Sequence, residues 1–464
     1  MKERRCKGRR SLFYRGEGRM KREIDMLNGS LWDKILVFSL PLAVTGILQQ
    51  VFNAADIAVV GRFVGENAMA AVGSNGPLVG LMINLFIGIS LGTNVVIAQY
   101  IGHGDRERIR KAVSTSIIAA LVGGILFLAG GECIAVWMLK LLAVPEEIFD
   151  WTLLYIRIYF LGMPVIFLYN VEAAIFRSRG DTRTPMIVLI IAGVINVGLN
   201  LFLVCVAGMT VEGVAIATVV SNLISAAILF ILLLRSPDDL RIDLKEMRFD
   251  RREFVRILKI GVPSGIQGMV FSISNLCIQS GINSLGATVM AASAAAVNIE
   301  IVAFYLLNSF TQACTTFVGQ NYGAKNIPRC RKVWKDCILL AILFTAACCV
   351  TILVFSRPLL GLFNKNPEVI ELGRIRLFYL YSAYLFSLLA DITSGYLRGF
   401  GKSMTPALAT LFSVCGVRIV WVYTVFRQFG TFESLLLTYP VSLALNALVI
   451  GVFALMFSRR QEYS

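Results

Sequence analysis

The chain repeats part of its own sequence at a fixed offset of 221 residues. Residues 99–102 are Gln-Tyr-Ile-Gly and residues 320–323 are Gln-Asn-Tyr-Gly, and a group of basic residues follows each segment. The same offset relates further pairs, namely Arg177 and Arg398, Gly180 and Gly401, Thr184 and Thr405, and Pro185 and Pro406. A repeat of this length indicates two halves of the same topology, related by a pseudo-twofold axis, with a cleft between them.

The composition places these two halves in a lipid bilayer. Hydrophobic residues make up 57% of the 464 residues and charged residues only 16%, whereas soluble proteins carry about 25% charged residues. Apolar runs of about 20 residues, long enough to cross the hydrocarbon core as helices, recur throughout the chain. Twelve spans are predicted, at roughly 35–60, 76–101, 112–137, 150–176, 185–207, 212–234, 255–281, 290–319, 336–356, 372–397, 406–426 and 434–457. None has the period-two alternation of a β-barrel, so we predict an all-α polytopic membrane protein with two six-helix lobes.

The net charge of +15 has a topological explanation. When the spans are assigned alternately to the two sides of the membrane, most of the 44 Lys and Arg residues fall on the side of both termini. The opposite side holds few, among them Arg374 and Arg376. The positive-inside rule therefore predicts cytoplasmic termini in a multi-pass protein of the cell membrane. The expected partners are the lipid bilayer and small molecules, not nucleic acid, and we expect a monomer.

The predicted organisation has five segments. A basic cytoplasmic arm covers residues 1–30, an N-lobe residues 31–235, a cytoplasmic linker residues 236–254, a C-lobe residues 255–458 and a short cytoplasmic tail residues 459–464. The single histidine, His103, lies in a predicted loop, and the chain has no HExxH, Walker, nucleophile-elbow or CxxC motif. The sequence therefore predicts no enzyme activity and no cofactor beyond a coupling ion.

Polar side chains recur at helical spacing inside three spans of the first half, where hydrocarbon disfavours them. These are Gln49, Asn53 and Asp56 in span 1, Asn196 and Asn200 in span 5, and Thr218, Asn222 and Ser225 in span 6. A carboxylate among amide and hydroxyl oxygens has the ligand chemistry of a site for H⁺ or Na⁺. The alternative is a set of interhelical hydrogen bonds, each worth about 0.6 kcal/mol. For Asp56 the cost of an intramembrane charge favours a functional role.

The second half does not duplicate this pocket. At the offset positions Asn196 becomes Val417 and Asn200 becomes Trp421. Two other intramembrane acids, Glu300 in span 8 and Asp391 in span 10, are candidates to face the cleft and bind a cationic substrate. The alternative for each is a structural hydrogen bond or, for Asp391, an ion pair with Arg398.

Two prolines and one further acid complete the candidates. Pro41 in span 1 and Pro263 in span 7 match with one residue of slippage, and each removes a backbone donor from its helix. They are predicted hinges for alternating access, with ordinary helix packing as the alternative. Glu172, near the end of span 4, is expected to form an interfacial ion pair with Arg177 or Arg179.

Five segments together resemble the multidrug and toxic compound extrusion (MATE) family, within the multidrug/oligosaccharidyl-lipid/polysaccharide flippase superfamily. They are Phe38-Ser39-Leu40-Pro41, Phe52-Asn53-Ala54-Ala55-Asp56 with Val60-Gly61-Arg62, Ala98-Gln99-Tyr100-Ile101-Gly102, residues 176–185, and Gly319-Gln320-Asn321-Tyr322-Gly323-Ala324. The resemblance implies twelve helices in two lobes arranged as a V, and cation-driven efflux.

The resemblance also implies a cation site in the first lobe, at Asp56, Asn196, Asn200 and Thr218, with Tyr155 in helix 4 as a further member. The chain departs from the family pattern at Asn200, where many members carry Asp, so its pocket holds one carboxylate. A second-lobe acid that some members carry in helix 7 is also absent, with Phe271 or a neighbour there. Coupling to Na⁺ and coupling to H⁺ both stay open.

Two functional hypotheses follow. The first is a cation-coupled antiporter that exports amphipathic, often cationic, organic compounds by alternating access. The second is a flippase for a lipid-linked or other bulky amphiphile, for which we expect a basic cleft that holds a pyrophosphate. The central spans offer only Arg157, Arg398 and Arg418 as buried basic candidates, which favours the first hypothesis.

Overall fold

The computed structural model describes residues 24–142, 144–236 and 239–461, and within them the secondary structure is helical without a strand. Most of the predicted arm, residues 1–30, therefore lies outside the described residues. Helices satisfy their own backbone hydrogen bonds, which is the requirement that hydrocarbon places on a spanning chain. Ten helices are long and apolar enough to cross a bilayer, and two bent helix pairs bring the number of spans to twelve.

The twelve spans are numbered in chain order. They are α1 (Trp32–Phe63), α2 (Glu66–His103), α3 (Arg106–Leu141), α4 (Glu146–Leu161 and Met163–Ser178), α5 (Arg183–Val206), α6 (Val211–Leu234), α7 (Arg251–Ser284), α8 (Ala287–Gly323), α9 (Ile327–Val354), α10 (Pro367–Ser382 and Tyr384–Gly399), α11 (Met404–Phe429) and α12 (Phe432–Arg460). A short helix, Ser356–Gly361, lies between α9 and α10. The helix α7 begins within the predicted linker 236–254, since its N-cap is Asp250.

The two halves repeat the same local geometry at the 221-residue offset. The bent spans correspond, because α4 bends by 49° and α10 by 45°. The turns after α2 and α8 also correspond. Gly104 and Lys325 both have left-handed backbone, with φ of 74° and 58°, and the next residue caps the following helix in each half. The caps are the side chains of Asp105 and Asn326, each of which accepts a hydrogen bond from a backbone N–H of the first turn.

Each half builds its own hydrophobic core, but the first turns of α1 and α7 are exchanged. Ile35 and Phe38 of α1 are buried in the core of the second half, and Ile257 and Ile260 of α7 are buried in the core of the first half. The predicted lobes, residues 31–235 and 255–458, follow the order of the chain. In the structure, the first turn of each lobe packs in the core of the other lobe. In α1 the exchange ends near Pro41, and in α7 near Pro263, so each proline lies where its helix passes between lobes.

The lobes meet at the end of the bundle where α1 begins and α12 ends, which we call the terminal end. There a Cβ on Gly102 would lie 1.8 Å from the carbonyl oxygen of Gln320, and a Cβ on Gly323 would lie 1.9 Å from that of Gln99. The two glutamines bond reciprocally across the lobes. Gln99 Nε2 donates to the carbonyl of Gly399 at 2.8 Å, and Gln320 Nε2 donates to that of Ser178 at 2.7 Å. We call Gln99, Gly102, Gln320 and Gly323 the glycine clasp.

The contact between lobes does not extend along the whole bundle. The helices α2 and α7 stay close from the clasp as far as Asn84, whose Nδ2 donates to Ser272 Oγ at 3.1 Å. Toward the other end of α2, a Cβ on Gly76 or Gly80 would meet no atom within 4 Å. The two six-helix lobes therefore form a V that is closed at the terminal end.

Candidate functional site

A buried carboxylate lies inside the N-lobe at the meeting point of three helices. Asp56, on α1, is 7% exposed. Asn200 Nδ2 of α5 donates to Asp56 Oδ1 at 2.5 Å, and Thr218 Oγ1 of α6 donates to Asp56 Oδ2 at 3.2 Å. The helices α1, α5 and α6 thus bring together three of the four residues that the sequence predicts around a cation.

The fourth predicted residue extends this group. Asn196 is one turn before Asn200 on α5, so both amides point to the same side. Asn196 Oδ1 accepts a hydrogen bond from Asn200 Nδ2 at 3.4 Å. Asn200 Oδ1 is buried and has no hydrogen-bond partner. A buried acceptor without a donor is costly, so this oxygen is available as a ligand for a proton donor or a cation.

The donor set around Asp56 consists of oxygen atoms. One carboxylate, two amides and one hydroxyl suit a proton or a hard monovalent ion such as Na⁺, and they offer no soft ligand for a transition metal. Among the described residues no three His, Cys, Asp or Glu side chains lie close enough together to hold a metal ion. The pocket thus has ligands for a weakly held monovalent cation.

Aromatic rings close the pocket on the side of α4. Tyr155 and Tyr159 are both buried, and their rings stack with centroids 6.2 Å apart. Both phenols lie within electrostatic range of the Asp56 carboxylate. The sequence predicts Tyr155 at this place but not Tyr159. Tyr159 could have been predicted from its position one turn after Tyr155 on the same helix.

The local helix geometry changes next to the pocket. The α5 helix becomes π-helical from Phe202 to Val206, two residues after Asn200. Such π segments are uncommon and are frequent at functional sites, because the wider turn frees backbone groups and repositions side chains.

The other predicted N-lobe residues do not bond to Asp56. Gln49 is half-buried and Asn53 is exposed, although they share its face of α1. Asn222 donates to the carbonyl oxygen of Thr218 on its own helix at 2.8 Å. Gln49, Asn53 and Asp56 do share one face of α1, but only Asp56 reaches the interior of the lobe.

The two candidate cleft acids of the C-lobe have local partners. Glu300 Oε1 accepts from Arg376 Nη2 at 3.2 Å, and both side chains are largely buried. Asp391 Oδ2 accepts from Ser387 Oγ at 3.2 Å. Arg398, which the sequence offered as an alternative ion-pair partner of Asp391, donates to Gln267 Oε1 at 2.6 Å. The sequence did not identify Arg376 as a buried residue.

The expected ion pair of Glu172 is wrong. Glu172 is fully buried, and neither of its carboxylate oxygens has a hydrogen-bond partner. Arg177 donates instead across the lobes to Gln312 Oε1 at 3.1 Å. Glu172 and Arg177 are five residues apart on the segment Met163–Ser178, so their side chains point in different directions.

Comparison with known proteins agrees with this architecture. A family model described as MatE matches residues 41–202 and again residues 263–424, one copy in each half. The chain is 29% identical over 445 residues to the probable multidrug resistance protein YoeA of Bacillus subtilis, which covers 93% of this chain and 95% of YoeA. It is 27% identical over 402 residues to the probable multidrug resistance protein NorM of Thermotoga maritima, which covers 85% of this chain and 86% of NorM.

The fold is also known from solved structures. One, described as an outward-facing conformation of a multidrug resistance MATE family transporter of the MOP superfamily, aligns with a TM-score of 0.87. Its sequence identity is 22%, over 95% of this chain and 98% of that chain. At this identity the likeness concerns the fold.

Proposed function

This chain belongs to the MatE family of membrane transporters, and on that premise we propose that it is a cation-coupled antiporter. The coupling ion is H⁺ or Na⁺, and the cargo is an amphipathic, often cationic, organic compound that leaves the cell across the cytoplasmic membrane. Relatives named as multidrug resistance proteins support a drug-like cargo.

The observation that carries the proposal is the environment of Asp56. The carboxylate is buried, and it accepts hydrogen bonds from neutral donors on α5 and α6. A single intramembrane charge without an opposite charge is expensive, and a bound proton or Na⁺ removes that cost. The unpaired Asn200 Oδ1 supplies a further ligand oxygen beside it.

The path of α1 links this pocket to the movement of the lobes. The helix starts in the core of the C-lobe, passes Pro41 and ends beside α5 and α6 in the N-lobe. A cation that draws Asn200 and Thr218 toward Asp56 therefore changes how α1 packs on both lobes. Alternating access follows when the cation and the cargo prefer different arrangements of α1, because each then shifts the population that binds the other.

The prolines and the clasp supply the moving parts of this scheme. Pro41 and Pro263 lie where α1 and α7 cross between the cores, so they are the points at which bending separates the lobes. The glycine clasp closes the terminal end, which the charge distribution assigns to the cytoplasm. For the cleft to open at the terminal end instead, the reciprocal hydrogen bonds of Gln99 and Gln320 must break and the V must close at its other end.

Transport in proteoliposomes tests the proposal directly. Dye efflux is measured with a Na⁺ gradient and a pH gradient imposed separately, for the natural chain and for Asp56→Asn. We expect the variant to insert and fold but to lose gradient-driven efflux, down to the level of protein-free liposomes. Asp33→Asn, an exposed acid on the same helix, is the matched control and should transport normally. Full gradient-driven efflux by Asp56→Asn contradicts the assignment.

The flippase hypothesis has one observation in its favour. The C-lobe buries both Arg376 and Arg418, of which the sequence predicted only Arg418 as a buried basic candidate. Arg376 is, however, already paired with Glu300, which leaves one uncompensated positive charge. A pyrophosphate carries more than one negative charge, so we keep the antiporter as the proposed function.

A further inference from the structure

The C-lobe buries an arginine that has no acidic partner. Arg418, on α11, is 1% exposed, the largest fully buried side chain in the described part of the protein. Its Nη1 donates to Asn275 Oδ1 at 2.7 Å and its Nε to Ser442 Oγ at 3.2 Å. Its guanidinium lies over the rings of Phe271 and Tyr439, with centroids 5.0 Å and 4.9 Å away. All of these partners are neutral.

A second buried arginine shares the ring of Tyr439. The Arg376 guanidinium lies 6.0 Å from that ring and is 4% exposed. Its Nη2 is paired with Glu300, whereas its Nε and Nη1 are buried and have no hydrogen-bond partner. These unpaired N–H groups lie on a fixed guanidinium plane, and each is free to donate a charge-assisted hydrogen bond to an anion.

The charges in this group do not balance. We call Phe271, Asn275, Glu300, Arg376, Arg418, Tyr439 and Ser442 the C-lobe pocket. It holds two guanidinium groups and one carboxylate, and Arg418 makes no ion pair with any residue that the structure describes. A buried charge inside a membrane normally has a counter-charge, because desolvation without one is strongly unfavourable. A negative group that comes from outside the protein supplies what is missing.

The position of the pocket gives independent support. Arg376 stands 221 residues after Tyr155, Tyr439 after Thr218, and Ser442 after Ser221. Asn275 is the counterpart of Asn53 with the one-residue slippage that also relates the two prolines. The C-lobe pocket is therefore the pseudo-twofold counterpart of the Asp56 pocket. It uses helices 7, 10, 11 and 12 in place of 1, 4, 5 and 6, and Glu300 of helix 8 is an additional member.

The backbone around Arg418 resembles that around Asn200. Arg418 lies on a short α-helical segment, Val417–Trp421, between two π-helical segments, Leu411–Gly416 and Val422–Phe426. The second of these matches the π segment of α5 in position. Both lobes thus carry the same irregularity beside their pockets, which is frequent where a helix handles a ligand.

We propose that the C-lobe pocket binds one anionic group at Arg418 and at an unpaired N–H group of Arg376. The group is monovalent, since one positive charge is uncompensated, and it is either an inorganic halide or the carboxylate of an amphipathic cargo. The carboxylate case rests on the proposed export function, whereas the halide case does not.

Thermal unfolding of the purified full chain in detergent micelles tests this inference without transport. Chloride or bromide is titrated against gluconate at constant ionic strength, and octanoate against octanamide. A ligand that binds only the folded state raises Tm in a saturable way. We expect a saturable rise with the halides or with octanoate, and none with gluconate or octanamide. A saturable rise in Tm with chloride or bromide identifies an inorganic ion as the occupant. A rise with octanoate alone identifies a cargo carboxylate.

Three variants test whether the anion-dependent rise in Tm arises from the C-lobe pocket. Asn275→Asp places a carboxylate beside Arg418, so it should fold, unfold at a higher Tm than the natural chain without halide, and lose the anion response. Arg418→Gln should lose the response as well, and Arg357→Gln, an exposed arginine of the same lobe, should keep it. Absence of a saturable rise in the natural chain overturns the inference, and so does an undiminished rise in Asn275→Asp. Failure of efflux in proteoliposomes leaves these measurements unaffected.

Discussion

The Asp56 pocket and the C-lobe pocket occupy corresponding places in two copies of one bundle, yet their charges are opposite. The first surrounds one carboxylate with neutral hydrogen-bond donors, and the second surrounds a guanidinium with neutral acceptors and aromatic rings. The helices of the repeat are long apolar segments whose packing tolerates many side chains, so the scaffold stays while single positions change. The repeated scaffold therefore places polar groups at corresponding points of the two lobes, and differences at single positions give the two pockets opposite charge.

The two pockets also differ in how stability responds when their acidic residue, Asp56 or Glu300, is neutralised. Asp56 has no ionic partner, so neutralising it removes a buried charge and leaves its neighbours satisfied by an amide. Glu300 is half of an ion pair in a pocket with an excess of positive charge. Removing it leaves two buried guanidinium groups without a counter-charge.

Glu300→Gln is therefore expected to have the largest effect on folding. We expect a loss of about 3 kcal/mol in the free energy of unfolding, because breaking a buried pair strands the remaining charge. The measurement is unfolding in mixed micelles in gluconate. Glu371→Gln removes an exposed carboxylate paired with Arg374 in the same lobe, and it should cost less than about 1 kcal/mol. Equal losses in the two variants contradict the charge imbalance of the C-lobe pocket.

Much of the fold and part of the site were predictable from the sequence. Hydrocarbon thickness fixes helix length, and the repeat fixes topology, so twelve spans in two lobes followed from composition and the 221-residue offset. Helical spacing and the cost of polar groups in a membrane predicted that the polar faces of α1, α5 and α6 turn inward. The resemblance to the family implied that Asp56, Asn200 and Thr218 form one site.

The C-lobe pocket was missed for a physical reason. The charge count placed Arg374 and Arg376 together on the side of the membrane opposite the termini. Both lie on the helical segment Pro367–Ser382, however, and residues two apart on a helix point in nearly opposite directions. Arg374 stays partly exposed beside Glu371, while Arg376 lies inside the lobe. Which of the two faces the lobe depends on tertiary packing, which composition does not reveal. The offset from Tyr155 to Arg376 was the signal that could have found it.

Glu172 illustrates the same limit. Its place near two arginines in the sequence predicted an ion pair, but neighbours on a helix meet only at particular spacings and orientations. Glu172 and Arg177 are five residues apart on one helical segment, so their side chains point in different directions. The carboxyl group lies inside the lobe, and Arg177 reaches across the interface to Gln312. Nearness in the sequence was a poor guide where the spacing does not place two residues on one face.

The variant Asn200→Asp tests the comparison in the Asp56 pocket. It places a second carboxylate beside Asp56, where the resemblance to the family predicts one, and so increases the difference in charge between the two pockets. We expect about a tenfold increase in apparent affinity for Na⁺ in gradient-driven efflux, since affinity rises with the number of ligand charges. Asn222→Asp, on the same lobe but bonded to its own backbone, is the control and should change little. An unchanged Na⁺ dependence indicates that the pocket does not hold Na⁺.

Thr218→Val is the smallest test of the comparison, because it changes one neutral donor and keeps the volume of the side chain. The Thr218 hydroxyl divides its hydrogen bond between Asp56 Oδ2 and the carbonyl oxygen of Val214. Its loss should weaken coupling-cation binding by about 1 kcal/mol, roughly a fivefold change in apparent affinity. Thr351→Val removes an exposed hydroxyl that bonds only to its own helix, and it should leave the affinity unchanged. If both variants behave alike, Thr218 stabilises its helix and is no ligand, and the cation is held by α1 and α5 alone. A shift confined to Thr218→Val places the cation between the three helices, where its binding can tighten α6 against α1.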